Sequence, residues 1–269
     1  VHHRYRMHQK MLQHIHAEQI NEAKLQFFIN ISHEIRTPMS LIISPLQQLM
    51  AKDKDAECRK LYSTIQRNAE RILQLVNQLM DIRKIDKGQM SLMFKKAEIV
   101  SFTRDLLETF EQQTRVKKLD LKFHTSAPEI EMWIDPKNFD KIILNLLSNA
   151  CKFTPENGQV EISLSTGEDT HLPQNAPLRR YVELTVADSG IGIASTEREH
   201  IFERFYQIRN SQNNSNIGTG IGLHLTRSLV ELHYGNIHVE DNGEGRPGSR
   251  FIIRLPPVSY THLRAHETS

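Results

Sequence analysis

The chain has 269 residues, a length that fits one large domain or two ordinary ones. Charged residues make up 25% and hydrophobic residues 38%, which rules out a wholly disordered charged tail and argues against one large, dense core. The 34 basic and 32 acidic side chains leave a net charge of +2, so no global field calls for nucleic acid. The two cysteines, Cys58 and Cys151, lie outside any CxxC pair, which argues against a disulfide framework or a structural zinc and suits a reducing compartment.

The opening Val1–Lys10 is basic, but no apolar stretch follows it, so it does not read as a signal peptide. Arg4, Arg6 and Lys10 would suit the inner side of a membrane if a spanning helix preceded Val1; a solvated helix end explains them as well. No run of apolar residues within the sequence is long enough to span a bilayer. All twelve glycines fall at or after Gly88, and the stretch before it has only Pro38 and Pro45 as prolines, so it reads as long helices. Phe28, Ile35, Met39, Ile42, Leu46 and Leu49 form one apolar seam. Lys52-Asp53-Lys54-Asp55 breaks it. Leu61, Ile65, Asn68, Ile72, Leu75, Leu79 and Ile82 then step by four and three. A polar Asn68 on such a seam fixes register and oligomer state. Two helices cannot bury both stripes alone, so the expectation is a hairpin that pairs with a second copy as a four-helix bundle.

The helical pattern stops at Lys87-Gly88, and a domain boundary is expected near residues 87–98. Beyond it a helix is predicted over Glu98–Gln113, short strands over Leu119–His124 and Glu131–Ile134, and a helix over Asn138–Lys152. Strands over Gln159–Thr166 and Tyr181–Ala187, a helix over Leu223–Leu232 and a hairpin of Asn236–Val239 with Arg250–Leu255 complete the pattern. Gly167–Arg180 reads as an exposed loop. Helices on one face of a mixed sheet are the expected architecture.

In Ile31-Ser32-His33-Glu34-Ile35-Arg36-Thr37-Pro38, helical geometry sets His33 about 200° around the axis from the seam residue Ile35, facing water. A neutral imidazole is a nucleophile, and Glu34 beside it can hold one ring nitrogen as N–H and so activate the other. Pro38 lacks an N–H and clashes with the preceding turn, which predicts a bend. Most exposed histidines are inert, and on this segment alone the inert reading is the stronger.

Three later segments carry chemistry. Asn145 and Asn149 share a helix face, with Lys152 one turn beyond. Their amide oxygens suit Mg²⁺ and the lysine suits phosphates, although a merely polar helix face explains the asparagines equally well. Asp188-Ser189-Gly190-Ile191-Gly192-Ile193 ends an apolar strand. Its carboxylate can accept from the exocyclic amine of a base and its glycines admit a flat ring; a tight turn is the plainer explanation. Gly218-Thr219-Gly220-Ile221-Gly222-Leu223 opens a helix, where backbone N–H groups attract anions. Leu223 stands where a GxGxxG dinucleotide pattern needs its third glycine, and no GxxxxGK[ST] P-loop occurs. Arg209–Asn216 reads as a mobile lid; Phe202, Phe205 and Tyr206 before it either brace that lid or fill core.

These segments, in this order, resemble the sensor histidine kinases of two-component systems over roughly residues 25–257. The H-box is Phe28–Pro38, the N-box Asn145–Lys152 with Phe153-Thr154-Pro155 following, the G1 box Asp188–Ile193, the F-box Ile201–Tyr206 and the G2 box Gly218–Leu223. The wording around Ser44-Pro45-Leu46 and Gly218–Gly235 is similar to hybrid sensor kinases of Bacteroides-type bacteria.

The resemblance implies a fold of α plus α+β class. An antiparallel helical hairpin dimerises into a four-helix bundle and is followed by a Bergerat-type (GHKL) α/β sandwich. It implies a juxtamembrane signalling helix over 1–24, a dimerisation and histidine-phosphotransfer domain over 25–90, a linker over 91–97 and a catalytic ATP-binding domain over 98–257. Residues 258–269 read as an appended tail. The implied activity is that of a protein-histidine kinase: His33 takes the γ-phosphoryl group of ATP and passes it to an aspartate of a receiver domain. Glu34 is then base or orienter, and Thr37 positions water when the partner is dephosphorylated. Asn145 and Asn149 serve Mg²⁺ and the phosphates, Lys152 the phosphates, and Asp188 the adenine amine. Gly190 and Gly192 shape the adenine pocket, and Gly218, Gly220 and Gly222 cradle the phosphate side. Tyr206, Thr219 and Leu223 complete the nucleotide set. Gln207 departs from the arginine common in relatives, and Arg209 is a candidate substitute.

The implied partners are a second copy and a receiver domain, in trans or in the same hybrid chain, with no direct nucleic acid. The implied location is the cytoplasmic part of an inner-membrane bacterial sensor, reaching the membrane through a segment before Val1. Two other classes compete: an ATP-driven conformational machine, as in chaperones or topoisomerases, needs neither His33 nor the hairpin, and a pseudokinase scaffold would bind ATP without forming phosphohistidine.

Overall fold

A computed structural model describes residues 35–174, 176, 178–208, 219–243 and 245–257. The expectations for His33, Glu34, residues 209–218 and residues 258–269 lie outside these. The chain divides into two units, Val1–Met90 and Ser91–Ser269.

In the first unit, helix α1 runs through residues 35–52 and helix α2 spans Ala56–Asp86. The charged break between them is a cap as well as a turn. Asp55 accepts the Glu57 N–H at 2.8 Å, and Asp53 accepts the Asp55 N–H at 2.9 Å and the Tyr62 hydroxyl at 3.0 Å. The Asp55 N–H and the Tyr62 hydroxyl together hold the Asp53 carboxyl below its ordinary range. At the far end Gly88 adopts φ +62°, the left-handed region that glycine enters without a Cβ penalty, so α2 stops there. Across the hairpin the Arg36 guanidinium donates to the Asn77 side-chain oxygen at 2.9 Å.

Within one chain the buried face consists of Leu46, Ala69, Val76 and Ile82. The expected seam is split: its Leu46 and Ile82 belong to this face, whereas Ile42, Leu49, Leu61, Ile65 and Ile72 remain 41–63% exposed. Asn68 is exposed as well and donates back to the Thr64 carbonyl at 2.9 Å. The hairpin thus buries one stripe internally and leaves a second outside.

The second unit opens with β1 (Lys95–Glu98), which pairs antiparallel with β3 (Glu131–Ile134). Glu98 ends β1 and caps α3 (Ile99–Lys117), accepting the N–H groups of Val100 at 2.8 Å, Ser101 at 2.7 Å and Ile130 at 3.0 Å. Partial burial opposes ionisation, but these bonds prevail and hold the Glu98 carboxyl at about 2. The main sheet has the order β2 (Asp120–Thr125), β4 (Gln159–Glu168), β5 (Arg180–Asp188), β7 (Ser249–Leu255), β6 (Asn236–Asp241). Only the β2–β4 pair is parallel.

Alternation sends Val160, Ile162, Leu164, Val182, Leu184, Val186, Ile253 and Leu255 to the core. The apolar stripe of α4 (Pro136–Phe153), Phe139, Ile142, Ile143, Leu146 and Leu147, is at most 1% exposed. Each such side chain contributes about 1.5–3 kcal/mol on burial. Helix α5 (Gly222–Leu232) adds Leu225, Leu229 and Val230. Asp135 caps α4 ahead of Pro136, its carboxylate accepting the Asn138 backbone N–H at 3.2 Å and the Met93 N–H at 2.9 Å. Behind it His233 is 3% exposed: Nδ1–H donates to the Leu229 carbonyl at 2.7 Å and Nε2 accepts the Asp135 N–H at 3.2 Å. The N-terminal end of α4 and the C-terminal end of α5 are thereby joined through one buried imidazole.

Candidate functional site

Asp188 is the last residue of β5 and is 4% exposed. A carboxylate so placed must be satisfied by the protein. Oδ1 accepts the Gly190 N–H at 2.8 Å and Oδ2 accepts the Ser249 hydroxyl at 2.7 Å. Burial still pushes its carboxyl above the ordinary range, against the pull of Ser249 and Gly190. An ionised carboxylate offers about four lone-pair directions, which the Gly190 N–H and the hydroxyl and N–H of Ser249 do not exhaust. Asn242 fixes the same residue from the backbone side, donating to the Asp188 carbonyl at 2.8 Å.

Glycines make the space around it. A Cβ on Gly190 would stand 2.6 Å from the Phe153 carbonyl oxygen, so the end of α4 packs directly under the G1 turn. Gly248 at φ +112° lies against the Asp188 carbonyl oxygen, where no Cβ could fit. Gly192 at φ +73° faces Gly248. On the opposite side, Gly220 at φ +68° presses on the Phe205 backbone, and the Phe205 N–H donates to the Gly220 carbonyl at 2.9 Å. The F-box and G2 segments are thus tied together.

The Asn145 amide nitrogen donates to the Thr226 hydroxyl at 2.8 Å, and its oxygen lies against Gly222 at the first turn of α5. The donor is committed inside the protein, while the acceptor fills the space a Cβ on Gly222 would need. Asn149 is half-buried one turn further along α4. The Lys152 ammonium sits over the Phe153 ring, 4.8 Å from its centroid. Leu223 is half-buried in the first turn of α5, and Thr219 is half-buried just ahead of it. Tyr206 donates its hydroxyl to Glu197 and stacks on His200 with ring centroids 5.6 Å apart. It braces the F-box with that hydroxyl already committed, and the Glu197 bond pushes the phenol up. Thr37 is exposed on α1.

The donor set fits an adenine nucleotide with a hard cation: a buried acceptor with free lone pairs, a cradle without Cβ atoms and an amide oxygen at a helix N-terminus. Among the described residues no cluster of three or more His, Cys, Asp or Glu side chains offers an alternative metal site. Sequence reasoning missed Ser249, Asn242 and Gly248, which meet Asp188 from the start of the neighbouring strand β7 and the turn before it, and Thr226, which aims Asn145. The Gly248-Ser249 step before the apolar alternation of β7 was the available signal.

Two families match in tandem: the His Kinase A (phospho-acceptor) domain over residues 23–88, and the histidine kinase-, DNA gyrase B-, and HSP90-like ATPase over residues 134–259. Sensor histidine kinase TmoS of Ectopseudomonas mendocina is 38% identical over 88% of this chain, and a histidine kinase of Formosa agariphila is 34% identical over 93%. The chain spans only 23% and 18% of their respective lengths. Full-length ShkA, solved in complex with AMPPNP, superposes with a TM-score of 0.67 at 25% identity, covering 89% of this chain and 48% of that one. With both modules in the same order and this geometry between β5, α4 and α5, the chain belongs to the sensor histidine kinases of two-component systems, of which it carries the phospho-acceptor hairpin and the ATP-binding ATPase module.

Proposed function

We propose that the chain autophosphorylates His33 from ATP and delivers the phosphoryl group to a receiver-domain aspartate. The observation that carries this reading is Asp188, a buried carboxylate held by Gly190 and Ser249 with acceptor capacity left over, facing glycines that leave room for a flat base. Asp188 accepts the adenine amine, and Gly190 and Gly192 admit the ring. Asn145 presents its oxygen to Mg²⁺, with Asn149 beside it, and Lys152 turns its ammonium to the phosphates. Gly218, Thr219, Gly220, Gly222 and Leu223 form the phosphate-side wall, with Tyr206 bracing it. Bound Mg²⁺ supplies charge neutralisation on the phosphates, which is most of what phosphoryl transfer asks of its surroundings.

A neutral His33 nitrogen attacks the γ-phosphorus as the bond to the β,γ-bridging oxygen breaks and ADP leaves. Glu34 holds the other ring nitrogen as N–H and stabilises the developing positive charge. Thr37 orients water for the reverse task, dephosphorylation of the receiver. The apolar stripe left outside the hairpin supports a homodimer built as a four-helix bundle. Family membership supports a receiver partner, and Hybrid signal transduction histidine kinase D of Dictyostelium discoideum, 35% identical over 89% of this chain, supports a hybrid arrangement. Among the described residues no helix is long and apolar enough to cross a membrane. We place this region on the cytoplasmic side of a membrane-bound bacterial sensor by analogy with the family.

Incubation with γ-labelled ATP and Mg²⁺ tests the reading. Acid-labile, base-stable label is expected on the wild type and absent from both His33→Gln and Asp188→Asn. Label that survives His33→Gln would assign the acceptor elsewhere.

A further inference from the structure

We propose that Lys117 is a positioning residue for the nucleotide: its ammonium pins the C-terminal turn of α4, from which Lys152 projects and on which Gly190 rests. The inference deepens the nucleotide-binding reading above and rests on it. Lys117 is the last residue of α3, and Lys118 after it takes φ +54° to turn the chain into β2. Its Nζ donates to the carbonyls of Cys151 at 2.8 Å, Lys152 at 3.0 Å and Thr154 at 2.6 Å. An ammonium has three protons, and all three are placed.

The last four carbonyls of a helix have no partner within it and carry the negative end of its dipole. At the end of α4 the local cap reaches only the Ala150 carbonyl, which accepts from the Thr154 N–H at 3.0 Å and hydroxyl at 2.7 Å. Lys117, reaching over from a different helix, takes two carbonyls of that last turn and the one just after it. Between them lies the Phe153 carbonyl, the atom a Cβ on Gly190 would meet at 2.6 Å. One cation therefore sets the floor beneath the G1 turn and the root of the Lys152 side chain. Without it those carbonyls would turn toward water, and the adenine side and the phosphate side would lose their common support.

The test uses the whole chain, AMPPNP as the probe of affinity, and Asp188→Asn as the control for the nucleotide site. Lys117→Met should weaken AMPPNP binding by about fivefold or more. Label incorporated at saturating ATP should stay within about twofold of wild type, because the lost contact positions the nucleotide rather than the acceptor. A merely architectural role would lower the melting temperature and leave the affinity of the folded chain unchanged, and that result overturns the proposal. Should Lys117→Met fail to fold, Lys117→Arg decides. A planar guanidinium cannot send three bonds from one nitrogen, so affinity should fall by about threefold or more, and wild-type affinity in that variant overturns the proposal. A wild type that binds no AMPPNP defeats the nucleotide reading and this inference with it; a wild type that binds while Lys117→Met binds equally well defeats this inference alone.

Discussion

Asp188 illustrates how a binding group is held at some expense to the fold. Its carboxyl is pushed up by burial, so ionising it costs more in the folded chain than in the unfolded one, and that cost to stability is incurred as pH rises through the folded value. Asp188→Asn removes that cost while keeping an oxygen for the Gly190 N–H. The apo chain should melt at the same temperature or higher, while AMPPNP affinity falls at least about tenfold, the scale of a lost bond to a charged acceptor. Calorimetric melting and titration check both halves; a variant that binds normally would remove Asp188 from the site. Asp188 was legible because a carboxylate followed by two spaced glycines at a strand end is a local pattern. Ser249 and Asn242 were not, because they stand more than fifty positions away and meet Asp188 only once β5, β6 and β7 pair.

At the scale of elements, caps and junctions decide where α3, α4 and α5 sit. Glu98, with its carboxyl held at about 2, contributes stability present above the unfolded carboxylate value and lost as pH falls from there toward 2. Glu98→Gln should cost about 1 kcal/mol, the usual scale for a lost N-cap, and should flatten the acid limb of the stability profile. Chemical denaturation at a series of pH values reads both.

His233 behaves alike for the opposite charge type. Burial lowers its folded pKa, so it contributes stability above the unfolded value near 6.5 and loses it as pH falls below that. Its protonation would also replace the acceptor that the Asp135 N–H needs. Melting temperature should fall on mild acidification in the wild type and fall less in His233→Gln, whose amide does not titrate.

The long helices and the apolar strands were legible from periodicity and from the Lys87-Gly88 stop. Strand β1 was not: Lys95-Lys96-Ala97-Glu98 has no apolar alternation and is extended because β3 offers it a partner. The hairpin stripe was read correctly as apolar, but its burial partner was not legible, since Ala69 and Val76 close the hairpin while Leu61, Ile65 and Ile72 stay outside.

For the molecule as a whole, the proposed function requires two modules acting on one phosphoryl group, carried on a dimeric stem. The exposed stripe predicts that the chain sediments as a dimer, and that Ile65→Glu with Ile72→Glu shifts it to monomer while leaving AMPPNP affinity intact, because the nucleotide residues lie wholly in the second unit. A wild type that is monomeric at all concentrations would contradict the four-helix bundle. The central claim is the path of the phosphorus itself, and phosphorus NMR of the chain incubated with ATP and Mg²⁺ follows it directly. The account predicts a phosphoramidate resonance that grows in step with ADP and is missing from His33→Gln; ADP accumulating without that resonance, while AMPPNP binds normally, would contradict it.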